Sequence, residues 1–82
     1  GDMTITRFIE SEYFTVEKYD IDGKVNLENK KPFILMTVIE GEGRLKSGNE
    51  SFSLKKGDHL MISSQTKDYE IQGSLEVVVS YM

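Results

Sequence analysis

The stretch Phe33-Ile34-Leu35-Met36-Thr37-Val38-Ile39-Glu40-Gly41-Glu42-Gly43-Arg44-Leu45-Lys46-Ser47-Gly48-Asn49-Glu50-Ser51-Phe52-Ser53-Leu54 decides the fold. Its first eight residues are almost all apolar and leave little polar face, which is how a central strand covered on both sides reads. Gly41-Glu42-Gly43 then bends the chain with two residues that tolerate positive φ, and Arg44 to Lys46 leaves on a new strand. Ser47-Gly48-Asn49 closes a hairpin into Glu50 to Leu54, where Phe52 and Leu54 face inward and Ser51 and Ser53 face outward. Three strands in 22 residues, with no helical stripe among them, set an all-β expectation.

The same punctuation continues in both directions. Toward the N-terminus, Phe14, Val16 and Lys18 alternate with Thr15, Glu17 and Tyr19, preceded by a short strand at Ile5 to Ile9 in a leading edge segment, residues 1–12. Ile21-Asp22-Gly23-Lys24 reads as an Asp-Gly turn, after which Val25 to Leu27 pairs back, and Lys30-Lys31-Pro32 marks the start of the central strand. Toward the C-terminus, Lys55-Lys56-Gly57-Asp58 is a tight turn into His59 to Ile62. Ser63 to Lys67 is a polar loop, and Tyr69 and Ile71 alternate with polar neighbours. Gly73-Ser74 then turns into Leu75 to Tyr81, with Leu75, Val77, Val79 and Tyr81 on one face. About eight short antiparallel strands joined by glycine turns predict a single β-sandwich or barrel spanning residues 1–82, with the jelly roll as the arrangement that disposes of the sheet edges. SH3-like and OB barrels suit the strand count but want a basic or aromatic ligand face, which is missing.

Composition narrows the function classes. The 82 residues carry 10 Lys and Arg against 14 Asp and Glu, a net charge of −4, so phosphate backbones and anionic membranes should repel the chain. With no Cys, there is no disulfide framework and no thiolate chemistry, as expected of a reducing cytoplasm. The longest apolar run, Phe33 to Ile39, is far short of the roughly 20 residues of a bilayer span. No charged-then-apolar leader opens the sequence, and Gly1 reads as a processing remnant. His59 is the only imidazole, so a two-His or three-His zinc site is out of reach within one chain. A Ser-His-Asp arrangement would need His59 beside Ser63, Ser64 or Ser80, and no nucleophile elbow surrounds any of them.

Thr37 to Leu45, then Leu54-Lys55-Lys56-Gly57-Asp58, then Met61-Ile62-Ser63 resemble the cupin pattern, in which a strand ends at a Gly pair and a Gly-Asp turn leads into a hydrophobic strand. More narrowly, Tyr13-Phe14-Thr15-Val16-Glu17-Lys18-Tyr19-Asp20-Ile21, the Leu54 to His59 turn, Ile71-Gln72-Gly73-Ser74 and Val79-Ser80-Tyr81 resemble the C-terminal cupin domain of short bacterial type I mannose-6-phosphate isomerases. That resemblance implies a jelly-roll domain of an enzyme that moves a proton between adjacent carbons of a sugar phosphate while zinc polarises the oxygens. It places the zinc ligands and catalytic groups in an N-terminal part that would be this domain's partner. Carried over by position, the cupin Glu ligand falls on Ile34. The His ligands fall on Leu27 and Asn29, or on Glu28 and Lys30 with a loop one residue shorter, and the second-motif His falls on Asp68. Ile and Leu offer no lone pair, so the resemblance implies a barrel without catalytic or metal residues and without a cofactor of its own.

A few residues remain candidates for binding a substrate. Lys30-Lys31 and Lys55-Lys56 could converge on a sugar phosphate, or simply protect edges and solubility. Arg44 could grip a phosphate, although Glu40 and Glu42 stand near enough to neutralise it. His59 could be a base or ligand, or a solvated edge residue, and Asp58 reads as the cap of its own turn. The tyrosines and phenylalanines read mostly as core; a sugar-stacking platform needs two exposed together. Three readings compete: an inert packing domain of the isomerase, a free-standing cupin that binds a sugar or metabolite, and a small module that pairs with itself as a homodimer.

Overall fold

A computed structural model describes residues 2–63 and 65–82. The readings of Gly1 as a remnant and of Ser64 as a nucleophile lie outside the described residues. Six strands follow one another: β1 (Asp2–Glu10), β2 (Thr15–Glu28), β3 (Phe33–Ser47), β4 (Glu50–Lys55), β5 (His59–Ser63) and β6 (Asp68–Tyr81). All pairings are antiparallel and run in the order β1-β2-β6-β3-β4, with β5 also paired to β3. No described residue is helical, so no helix is long and apolar enough to cross a membrane.

The expected count of about eight short strands is therefore corrected to six, and the reason is physical. Three of the expected turns, at Gly23, Gly41–Gly43 and Gly73, are bends inside strands of 14 or 15 residues. Gly23 pairs with Gly73, and Gly73 pairs with Gly43, so one row of glycines crosses the three long strands. Gly73 has φ +136°, and a Cβ there would stand 2.6 Å from both the Glu42 carbonyl oxygen and the Gly43 Cα. Only glycine lets the strands approach this closely while the sheet folds over. In the β3–β6 ladder, a register shift between Val38 and Glu40 sits just before the same corner. Counting each bend as a boundary recovers the short segments read from the sequence; they are halves of continuous strands.

The corner divides the sheet into two arms. The larger holds β1, the first half of β2, the second half of β6, the first half of β3, and β5. The smaller holds the remaining halves and β4. Ile21, Ile34, Met36, Val38, Ile62, Leu75, Val77 and Val79 from the larger arm, and Leu45, Leu54, Tyr69 and Ile71 from the smaller, form one buried cluster. At about 1.5–3 kcal/mol for each large apolar side chain buried, this cluster dominates the stability. The inward face of the last strand, Leu75, Val77 and Val79, is as the alternation predicts. Closure into a full barrel is not: among the described residues β4 and β5 do not pair, and a cleft opens between them.

Two further expectations are corrected. The first half of β3 is covered on one face only, leaving Phe33, Leu35 and Ile39 38%, 48% and 37% exposed. Phe52 shares the inward side with Leu54 but stays half-exposed at the cleft mouth, because no strand closes over it.

Candidate functional site

The candidate substrate-binding residues are not brought together. Arg44 is exposed on the outer side of the smaller arm, opposite Ser53 and Gln72. Among the described residues it forms no ion pair; Glu40, expected to neutralise it, lies 3.5 Å from Lys56 instead. The register explains this, because Glu40 stands before the Gly41 bend and Arg44 after it. Lys30 and Lys31 sit in the β2–β3 connection, Lys30 3.9 Å from Glu28 and Lys31 with its Nζ 4.9 Å from the centre of the Tyr81 ring. That cation–π contact occupies Lys31. Lys55 and Lys56 lie on the turn beside Val38, five residues along β3 from Phe33 and so roughly 17 Å from the other lysine pair.

His59 begins the edge strand β5, exposed, with its Nδ1 3.0 Å from Thr37 Oγ1. Asp58 caps its turn as the sequence suggested: its Oδ2 accepts from Lys55 N at 3.0 Å. The turn is fixed to the core strand by Gly57 N donating to the Val38 carbonyl and Val38 N to the Asp58 carbonyl, each at 2.9 Å. His59 and Asp58 border the β4–β5 cleft, a space of about 430 Å³ walled mainly by Phe52, Leu54, Leu60 and Ile62, with the His59 ring held beside Thr37. Since the Asp58 carboxylate is engaged by the backbone and His59 by Thr37, the pair does not make an acid–base couple.

The positions that the cupin resemblance assigns to zinc do not suit the ion. Ile34 is 6% exposed and packs into the core opposite Ile62 and Tyr81. Leu27 is half-buried against the core. Asn29 is a structural clamp: its Nδ2 donates to the Ser63 and Thr66 carbonyls, both at 2.9 Å, while its Oδ1 accepts from Lys31 N at 2.9 Å. Glu28 and Asp68 pair across the ladder as exposed neighbours. Apolar side chains and an engaged amide cannot supply the donor set a tetrahedral zinc centre needs. Among the described residues, no group of three or more His, Cys, Asp or Glu could hold a metal ion.

One polar cluster was not singled out from the sequence. Glu17 on β2 faces inward and is only 5% exposed. Its Oε2 accepts from Arg7 Nε at 3.2 Å and from an Arg7 terminal nitrogen at 3.1 Å, and its Oε1 accepts from the Tyr81 hydroxyl at 2.8 Å. The other Arg7 terminal nitrogen donates to Glu10. Burial, then the hydrogen bond to Glu17, raises the Tyr81 phenol above its ordinary value, and hydrogen bonds to Glu10 and Glu17 raise Arg7. Burial, reinforced by the Glu17 charge, raises Tyr19. Both Glu17 oxygens are satisfied, so the cluster ties β1, β2 and β6 together and offers no free group for chemistry. The available signal was parity: Glu17 shares its face with Tyr19 and Ile21.

Residues 4–82 match the family model described as the cupin domain of mannose-6-phosphate isomerase. The chain belongs to that family. Among relatives, it is 40% identical over 81 residues to mannose-6-phosphate isomerase ManA of Bacillus subtilis (strain 168), covering 99% of this chain and 26% of that protein. It is 37% identical over 79 residues to mannose-6-phosphate isomerase of Streptococcus mutans, covering 96% of this chain and 25% of the relative. The crystal structure of the mannose 6-phosphate isomerase from Bacillus subtilis superposes with a TM-score of 0.92 at 39% identity, over 98% of this chain and 26% of that one. This mannose-6-phosphate isomerase cupin domain thus spans about a quarter of the length of the relatives it matches, and it aligns with their C-terminal part.

Proposed function

We propose that this chain is the C-terminal, metal-free cupin domain of a zinc-dependent mannose-6-phosphate isomerase, contributing packing rather than chemistry to the interconversion of mannose 6-phosphate and fructose 6-phosphate. The observation that carries this reading is Ile34. The position where the cupin pattern expects a metal-binding Glu is occupied by a buried isoleucine packed between Ile62 and Tyr81. Supporting it, Arg44, the adjacent Lys30 and Lys31, and His59 lie in three separate regions and form no common subsite. Zinc and the catalytic groups then belong to the part of the enzyme that precedes this domain. The cysteine-free composition fits a reducing cytoplasm.

The β4–β5 cleft of about 430 Å³ favours a second reading, a cupin that binds a sugar or small metabolite directly. Titration calorimetry and thermal melting of the 82-residue chain separate the two. The packing domain takes up no stoichiometric zinc and melts at the same temperature with or without mannose 6-phosphate. A melting temperature that climbs in proportion to the logarithm of hexose phosphate concentration establishes the cleft as a ligand site and removes the packing reading.

A further inference from the structure

The two outer faces of the folded sheet differ sharply in chemistry. On the smaller arm, the outward positions are Lys24, Asn26 and Glu28 of β2, Glu42, Arg44 and Lys46 of β3, Ser51, Ser53 and Lys55 of β4, and Asp68, Glu70 and Gln72 of β6, all polar. On the larger arm, the ladder registers set Met61, Leu35, Ser80, Val16 and Ile9 side by side across five strands. Phe33 and Val78 flank this row. Met61 is 63% exposed, Leu35 48% and Ile9 46%, with no charged side chain in the row. In a chain in which 29% of residues are charged, this row crosses the sheet without a charge, and the first charged side chain on the same face is Lys18, in the next row opposite Val78. Contiguous apolar surface of this kind marks a face that is covered in the working protein.

We infer that this face is where the preceding part of a longer isomerase chain packs. The inference rests on the reading of the chain as an isomerase's C-terminal domain, and the occupant follows from two observations. The matched segment is only about 26% of the relatives, at their C-terminal part, so each carries a much larger mass attached to the equivalent of this domain. The first half of β3 is written for burial on both faces, yet this chain covers only one of them. The rim is also polarised. Toward the glycine corner the same side becomes a groove of about 410 Å³ lined by Asp20, Asp22, Glu40 and Glu76. Lys18 is drawn to that end, 3.2 Å from Glu76 and 3.8 Å from Asp20. The packing surface is thus an apolar centre with an acidic rim, and it selects a partner surface with an apolar centre and basic or amide groups on one side.

Methionine oxidation by dilute peroxide tests this, because Met61 lies in the row while Met36 is 1% exposed and serves as the buried reference. Met61 should oxidise readily in the 82-residue chain and at least about tenfold more slowly in the longer protein that carries this domain. As a second measurement, Leu35→Asp should lower the melting temperature of the longer protein by about 5 °C or more while Ser53→Asp, on the polar face, leaves it unchanged. Equal Met61 rates in a longer protein that isomerises mannose 6-phosphate overturn the docking face and leave the isomerase reading standing. Protection of Met61 in a longer protein without that activity does the reverse. Protection that grows with the concentration of the 82-residue chain, together with a doubled mass by light scattering, overturns the proposal in favour of a second copy as occupant.

Discussion

Glu17 is a carboxylate on the inward face of β2, only 5% exposed. In sequence it sits in an alternating run between Val16 and Lys18, and the one local mark of its inward side is the parity it shares with Tyr19 and Ile21. The register then puts it opposite Val79 on β6 and Arg7 on β1, where burial is tolerable only because Arg7 and Tyr81 satisfy both oxygens. Glu17→Ala removes the acceptor and leaves the Tyr81 hydroxyl unpaired, so the urea unfolding midpoint should fall by the equivalent of about 1–3 kcal/mol. Glu17→Gln keeps one oxygen for Tyr81 and should recover part of that loss. An unchanged midpoint for both variants would mean that the cluster does not hold β1, β2 and β6. Asn29 was illegible, since its role depends on carbonyls at Ser63 and Thr66 that only the fold brings near. Asp58 was legible because its cap is local, three residues from its donor.

At the scale of the strand, the alternation of Leu75, Val77 and Val79 and the two-sided apolarity of the first half of β3 were readable directly, because each follows from side-chain direction along a single segment. Strand continuity was not. A glycine flanked by extended residues reads alike whether the chain reverses there or only bends, and the difference lies in which residues face each other across the ladder. Pairing of Gly23 with Gly73, and of Gly73 with Gly43, resolves it as a bend. Gly73→Ala should accordingly cost more than an ordinary turn glycine, about 3 kcal/mol or more, since it adds both a positive-φ penalty and a clash with the β3 backbone. Gly48→Ala, with φ +59° and open space around the new methyl, should cost only about 1 kcal/mol. Equal losses in chemical denaturation of the two variants would remove the close-approach explanation of the corner.

For the molecule as a whole, the single core and the acidic, cysteine-free surface set the conditions under which it is stable. Burial holds the Tyr69 phenol neutral up to about 12, whereas an unfolded tyrosine ionises near 10. The folded-state value is raised, so its contribution is fully present below pH ~10 and is lost as pH climbs toward 12, an effect of up to roughly 2 kcal/mol. Unfolding midpoints measured from pH 8 to 12 should be flat with respect to this group at first and then fall. Tyr69→Phe should flatten part of that fall; a slope identical in the variant would assign it to other groups. The all-β class and the isomerase-domain resemblance were legible because turn spacing and the Gly-Asp punctuation run along most of the chain. What the molecule does was less so, because its candidate residues are scattered, and its most informative surface is one that stands uncovered. The central claim, that this domain packs and does not catalyse, is met most directly by a coupled isomerase assay on the purified 82-residue chain with mannose 6-phosphate and added zinc. The account predicts no turnover above the blank, with turnover from the longer protein carrying the same domain. Zinc-dependent turnover by the 82 residues alone would contradict it.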